Sequence, residues 1–298
     1  MRTQEKLRLS EHKPEARLCP CCGDPRAELQ REMSGTEIME CPGCGSAFSG
    51  QVPSAEDVSR IYDKLYRQNG VYQQERAEVV RITDALAKAR TIKLGWEHKR
   101  FFGKCSPSPG DKLLDVGCGT GLFLLAASQA GWSVRGVEVS REAAELGRAV
   151  HHFPIHVGRF EDASLTHEDF AAVTAWEVLE HLPEPANFLS HVLRLLVPGS
   201  VFAGSVPNYA RRRYRYGENL GPASIPPVHL NFWAPSALKY TLQHVGFCDV
   251  EVHFPRVSID LLRPLRTCWR PQKLIRFSKA ILGLNILSSM FFIARRPN

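Results

Sequence analysis

Four cysteines arrive as two C-x-x-C pairs, Cys19 with Cys22 and Cys41 with Cys44, each pair followed by a glycine. Two such turns place four thiolates tetrahedrally around one Zn2+, and the glycine permits the tight turn that brings backbone N–H groups toward the sulfurs. Cys21 lies between the first two and could compete for the metal, but the repeated C-P-x-C-G register favours Cys22. A second stretch, D-V-G-C-G-T-G from Asp115 to Gly121, sets three alternating glycines (Gly117, Gly119, Gly121) between two apolar runs. Those glycines allow positive φ and let a ligand reach the main chain without a Cβ in the way, and the N–H groups of a helix start offer it donors. A third group is Glu177, Glu180 and His181, with His229 on a later loop. Carboxylate oxygens and imidazole nitrogens of this kind suit Mg2+ or Mn2+. Without a metal, His181 or His229 is left as a general base.

The surrounding pattern has to place these groups together. The apolar run before Asp115, the glycine turn and the segment to Ala127 read as strand, turn and helix. Trp132–Glu138 reads as a second strand ending on an acid, and a carboxylate there can accept two hydrogen bonds from a ribose diol. His156–Asp162 reads as a third strand with its exit loop, Phe170–Trp176 as a fourth and Val201–Val206 as a fifth. Leu193–Gly199 reads as a helix end and a P-G turn before that fifth strand. Glu177 then opens the loop at a carboxyl end, the edge of a doubly wound sheet where ligands bind. A helix is expected from Pro235 to Gly246, strands over 250–254 and 286–294, and an amphipathic helix over 274–283. Ser54 to Phe102 has helical spacing (Ile61, Leu65, Val79, Ile82, Leu86), ended by Ser106–Gly110. Ser34–Gly35 is the expected turn of a hairpin between the cysteine pairs.

D-V-G-C-G-T-G resembles motif I of the class I S-adenosylmethionine-dependent methyltransferases, and its G-x-G-x-G spacing differs from the dinucleotide fingerprint. The cysteine segment resembles a zinc ribbon. Together they imply an α/β chain: a Rossmann-like, seven-stranded, mainly parallel sheet with an antiparallel final strand, joined to a small N-terminal zinc-ribbon module. The expected organisation is a loose arm over 1–17, the ribbon over 18–50, a helical lid or linker over 51–105 and the methyltransferase domain over 106–298. The resemblance implies that Asp115, Gly117, Gly119 and Gly121 hold the cofactor together with Glu177 and that Glu138 takes its ribose. It places adenine near Phe160, Glu161 and Asp162. Either acid is a candidate for the adenine amino group, and Phe160 is as well suited to the core as to stacking on the base. E-V-L-E-H-L-P-x-P from Glu177 resembles the post-strand segment of many O-methyltransferases, including the ubiquinone-biosynthesis group. Glu177, Glu180, His181 and His229 together resemble the metal site of small-RNA 2′-O-methyltransferases. The same segment also serves related enzymes as a metal-free pocket lining.

The implied cofactors are S-adenosylmethionine, a structural Zn2+ and, at the second group, Mg2+. The reading favoured is methylation of an oxygen on a small molecule or a glycan or lipid intermediate. RNA methylation and cofactor binding without catalysis are the alternatives. A net charge of +7 and the run Arg211–Tyr216, where arginines and tyrosines interleave, suit an anionic acceptor, RNA included. A solvated loop explains such a run equally well. Trp269–Leu287 mixes basic and apolar residues, compatible with a membrane surface but more with a packed helix. The N-terminus lacks the apolar core of a signal peptide and no stretch has the length of a membrane span. Clustered rather than scattered cysteines fit a reducing compartment, so a cytoplasmic location is expected.

Overall fold

In a computed structural model, the described residues are 17–33, 35–54, 94–165, 169–210, 224–255 and 289–298. The arm at 1–16, Ser34, the helical spacing over 55–93, the arginine-tyrosine run at 211–216 and the segments expected over 269–287 lie outside them. In chain order the elements are β1 (Glu28–Met33), β2 (Thr36–Glu40), β3 (Ala47–Ser49), α1 (Trp96–Lys104), β4 (Lys112–Val116), α2 (Leu122–Gln129), β5 (Ser133–Glu138), α3 (Arg141–His151) and β6 (Ile155–Val157). They continue with β7 (Phe170–Trp176), α4 (Pro185–Leu195), β8 (Leu196–Pro207), β9 (Asn231–Phe232), α5 (Pro235–Val245), β10 (Cys248–His253) and β11 (Ser289–Arg295).

The large sheet has the order β10-β11-β8-β7-β4-β5-β6. β6, β5, β4, β7 and β8 run parallel, and β11 is antiparallel to both of its neighbours. The expected seven-stranded, Rossmann-like sheet is therefore present. Its chain order reverses between β4 and β7, which makes the carboxyl ends of those two strands the switch-point crevice. Alternation along each strand feeds two cores. Leu113 and Ala172 pack with Phe101, Phe123 and Leu124 on one face, while Leu114 and Val173 pack with Phe188, Leu189 and Leu242 on the other. β8 starts earlier than expected: the P-G turn at Pro198–Gly199 is absorbed as an irregular pairing against β7, between Phe170 and Ala172.

Local signals account for the helix limits. Ser140 caps α3, its hydroxyl accepting from the Ala143 amide at 3.3 Å. Pro235 opens α5 and Gly246, at φ 118°, closes it. β1 and β2 form an antiparallel hairpin that continues through β3. The fourth member of that small sheet is β9, nearly two hundred residues along the chain.

Candidate functional site

The first corner is the exit of β4. Gly117, Gly119 and Gly121 all have positive φ (74°, 53° and 81°), a series that side chains bearing a Cβ resist. Their surroundings differ. A Cβ on Gly117 would come within 2.7 Å of Val178 Cγ2, whereas one on Gly119 would meet none of the described residues within 4 Å. Gly119 therefore faces open space at the switch point. Gly121 is the cap residue before α2, and among the described residues no side chain caps that helix start, whose amides suit a ligand or water.

Glu138, at the end of β5, locks this turn. Its Oε2 accepts from the Gly119 amide at 2.8 Å and its Oε1 from the Ser140 amide at 2.7 Å. Burial raises its pKa, against the pull of those backbone donors. Each oxygen retains a lone pair, which a diol can use. Asp115 lies underneath, 1% exposed, with Oδ1 accepting from Thr174 Oγ1 at 2.7 Å across β4 and β7. Burial pushes its carboxyl up to about 8, with the charge of Glu138 adding to the effect. Its side chain thus reaches protein rather than the open crevice. Glu161 and Asp162 are exposed on the turn after β6; Glu161 pairs with Arg159 at 3.4 Å. Phe160 is buried against Phe188 and His191, at ring distances of 4.9 and 4.6 Å. That is the core position rather than a free stacking face.

The second corner follows β7. Glu177 takes a positive φ of 53°, uncommon for a residue with a side chain, and its amide donates to the Ser205 carbonyl at 2.9 Å. The residue is exposed at the crevice, where the crowding of nearby protein atoms pushes its carboxyl up and hydrogen bonds from Ser205 and Ser289 oppose the shift. The next turn, Leu179–His181, carries Glu180, 1% exposed, with neither carboxylate oxygen hydrogen-bonded among the described residues and His181 Nε2 3.9 Å from Oε1. Burial and then the charge of Glu177 push Glu180 well above the usual carboxylate range.

His181 Nδ1 lies 3.0 Å from the Val228 carbonyl. A carbonyl only accepts, so Nδ1 carries the proton and Nε2 keeps a lone pair. His229 packs edge-on against His181, ring centroids 4.7 Å apart. Ligand atoms of Glu180, His181 and His229 all lie within 4.8 Å of one another, with Glu177 outside the group. Three of the four residues expected there thus converge. One carboxylate and two imidazoles are a donor set that suits a transition divalent ion better than Mg2+, which prefers oxygens. An imidazole fixed by a carbonyl on its other nitrogen is the usual support of a ligating histidine.

At the N-terminus, Cys19, Cys22, Cys41 and Cys44 form a second such group, with Cys21 outside it. Cys19–Cys44 and Cys22–Cys41 sulfur separations are both 3.6 Å, near the roughly 3.8 Å edge of a tetrahedron with Zn–S bonds of about 2.3 Å. The two turns repeat one hydrogen-bond pattern: the Gly23 amide donates to Cys19 O and the Gly45 amide to Cys41 O, both at 2.8 Å. The donor set fits Zn2+. Sequence reasoning missed β9 and with it Asn231, whose amide Nδ2 donates to Leu179 O and Leu182 O at 3.0 and 2.7 Å. A two-residue strand carries no periodic signal, so only the fold reveals it.

A family model described as a methyltransferase domain matches residues 87–252, more than half of the chain. The ubiquinone biosynthesis O-methyltransferase of Thiobacillus denitrificans is 33% identical over 138 residues, 43% of this chain and 56% of that protein. Its counterpart in Haemophilus ducreyi is 35% identical over 118 residues, 35% of this chain and 49% of that protein. The chain thus spans about half the length of these curated relatives. Haemonchus contortus phosphoethanolamine N-methyltransferase 2, solved with S-adenosyl-L-methionine, superposes with a TM-score of 0.52 at 18% identity, covering 85% of this chain and 62% of that one. Among the described residues, no helix is long and apolar enough to cross a membrane.

Proposed function

The chain belongs to the methyltransferase-domain family, whose model covers residues 87–252, and from that premise we propose that it transfers a methyl group from S-adenosylmethionine to an oxygen of a small molecule or of a glycan or lipid intermediate. The observation that supports this best is the meeting of two unlike corners at one sheet edge. Gly119 and Glu138 offer an open turn and an anchored carboxylate, and the Glu180–His181–His229 cluster offers a base or a divalent site beside them. Relatives named as O-methyltransferases support an oxygen acceptor.

S-adenosylmethionine supplies a methyl on a sulfonium, and its transfer is an in-line displacement in which positioning carries much of the rate. In this reading Glu138 binds the ribose hydroxyls, Gly119 admits the ligand backbone-close, and Glu161 or Asp162 receives the adenine amino group. His181 Nε2 or His229 takes the acceptor proton as the new C–O bond forms. With a divalent ion held by Glu180, His181 and His229, the acceptor oxygen would lose its proton more readily. The cysteine group holds a structural Zn2+.

Incubating the full chain with methyl-labelled S-adenosylmethionine and separate metabolite, lipid and RNA extracts tests the proposal. Label in a small-molecule or lipid fraction is expected. Label in RNA would replace the acceptor class, and tight binding of S-adenosylhomocysteine with no transfer would leave a binding protein.

A further inference from the structure

The cysteine ribbon is built into the second corner. β3 pairs with β9, Ala47 opposite Phe232 and Phe48 opposite Asn231, and β9 begins two residues after His229. The Ser49 amide donates to the Leu230 carbonyl at 2.8 Å, and the Leu230 amide donates to the Glu180 carbonyl at 2.7 Å. A continuous backbone path therefore runs from the ribbon through the His229 segment to the turn bearing Glu180. Asn231 bridges the same parts by side chain. It is 3% exposed, and its two bonds to Leu179 O and Leu182 O bracket Glu180 and His181. Arg17 adds a second strap: its Nη1 donates to Ser49 O at 2.7 Å, its Nη2 donates to Pro183 O, and its guanidinium lies 5.4 Å from the centre of the Phe48 ring.

A three-residue strand and a two-residue strand cannot hold register by themselves. β3 is held by its pairing with β2 and by the burial of Ala47 and Phe48, and the cysteine turns before it are the part of this small module whose shape depends on metal. We propose that Asn231 and Arg17 are positioning residues of the Glu180–His181–His229 cluster, anchored by the ribbon, so that the four-cysteine metal site sets the geometry of the acceptor corner while leaving the cofactor corner unaffected. The inference rests on reading that cluster as the acceptor corner. The glycine turn has its own lock in Glu138, and among the described residues no hydrogen bond joins it to the ribbon.

The test follows the histidine ring signals of the full chain by NMR and amide exchange at Leu230 by mass spectrometry. Wild type, Asn231→Ala, Arg17→Ala and chelator-treated wild type are compared, each saturated with S-adenosylhomocysteine. Expected are shifted His181 and His229 ring signals and at least tenfold faster Leu230 exchange in the zinc-depleted chain and in Asn231→Ala, with a smaller change in Arg17→Ala. Exchange at Gly119 and the affinity for S-adenosylhomocysteine should stay within twofold. A general loss of stability would not move ring signals of the folded molecules. Unmoved rings together with protected Leu230 after zinc removal would overturn the proposal, and so would equal loosening of Gly119. If Asn231→Ala does not fold, the zinc-depletion arm decides alone. Failure to bind S-adenosylhomocysteine would defeat the methyltransferase reading while the exchange comparison still reports on the brace.

Discussion

The two corners of the crevice satisfy their polar groups in opposite ways. At the glycine turn every acid has a donor: Glu138 takes the Gly119 and Ser140 amides, and Asp115 takes the Thr174 hydroxyl. Across the switch point Glu180 is as buried as Asp115, yet neither of its oxygens accepts a hydrogen bond among the described residues, His181 Nε2 lying 3.9 Å from Oε1. A satisfied site is built for stability and for a ligand that asks only for surplus lone pairs. A buried, unsatisfied acid costs free energy, and such a cost persists where function uses the group. In the proposed function this contrast matches binding at the first corner and chemistry at the second.

The largest expected effect comes from breaking the satisfied corner. Glu138→Ala removes the acceptor of two backbone amides and the proposed ribose ligand together. Hydrogen bonds to a charged group are worth about 1.5–3 kcal/mol each, so affinity for S-adenosylhomocysteine should fall at least about 100-fold by calorimetry. An unchanged affinity would remove the cofactor assignment from this corner.

The opposite sign is expected across the crevice. Glu180→Met replaces a buried carboxyl that accepts no hydrogen bond among the described residues by an apolar side chain of similar length. In protein prepared without added divalent ion, unfolding should become harder by about 1–3 kcal/mol while methyl transfer is lost. Destabilisation in thermal denaturation under those conditions would show that Glu180 has a partner after all, and the contrast between the corners would close.

The two outer faces of the glycine turn sharpen the comparison further. Gly117→Ala meets Val178 at 2.7 Å on top of a positive φ, whereas Gly119→Ala has only its φ of 53° to resist. The left-handed backbone costs about 1–2 kcal/mol in both. Gly117→Ala should therefore destabilise more, and it should disturb the Glu177 loop through Val178. Gly119→Ala should instead weaken cofactor binding at smaller cost to the fold. Equal losses of stability would mean that Gly119 faces protein rather than a ligand.

This division also explains what could be read from residues alone. Asp115–Gly121, Glu138 and Phe170–Trp176 announce themselves because strand, turn and helix follow local spacing, while the seven-stranded sheet with an antiparallel strand is implied by the family resemblance. The cysteine pairs are legible for the same reason: each turn is a five-residue unit. What spacing could not show is that Phe48 pairs with Asn231 and that Arg17 reaches Pro183. Those contacts join segments remote in sequence, and no periodicity encodes them. Phe160 shows the limit within a motif, since its side chain fits the core and a base face equally until Phe188 and His191 are placed around it.

The smallest expected effect, read over a single pH unit, concerns the buried acid that does have a donor. Asp115 is pushed up to about 8 in the folded chain, against about 3.9 when unfolded. Between those values the folded state binds one proton more than the unfolded state, so raising the pH through this window removes stability, by at most about 1.4 kcal/mol per unit for this one group. Below about pH 4 both states are protonated and the loss vanishes; above about 8 it is complete. The side-chain amide of an Asp115→Asn variant cannot titrate, so the stability of the variant relative to wild type should climb from pH 4 to 8 and then level. Denaturant unfolding at pH 6 and 7 reads the slope. A flat difference across that unit would mean that Thr174 alone keeps Asp115 ionised, and the turn would then rest on a charge rather than on a neutral hydrogen-bonded pair.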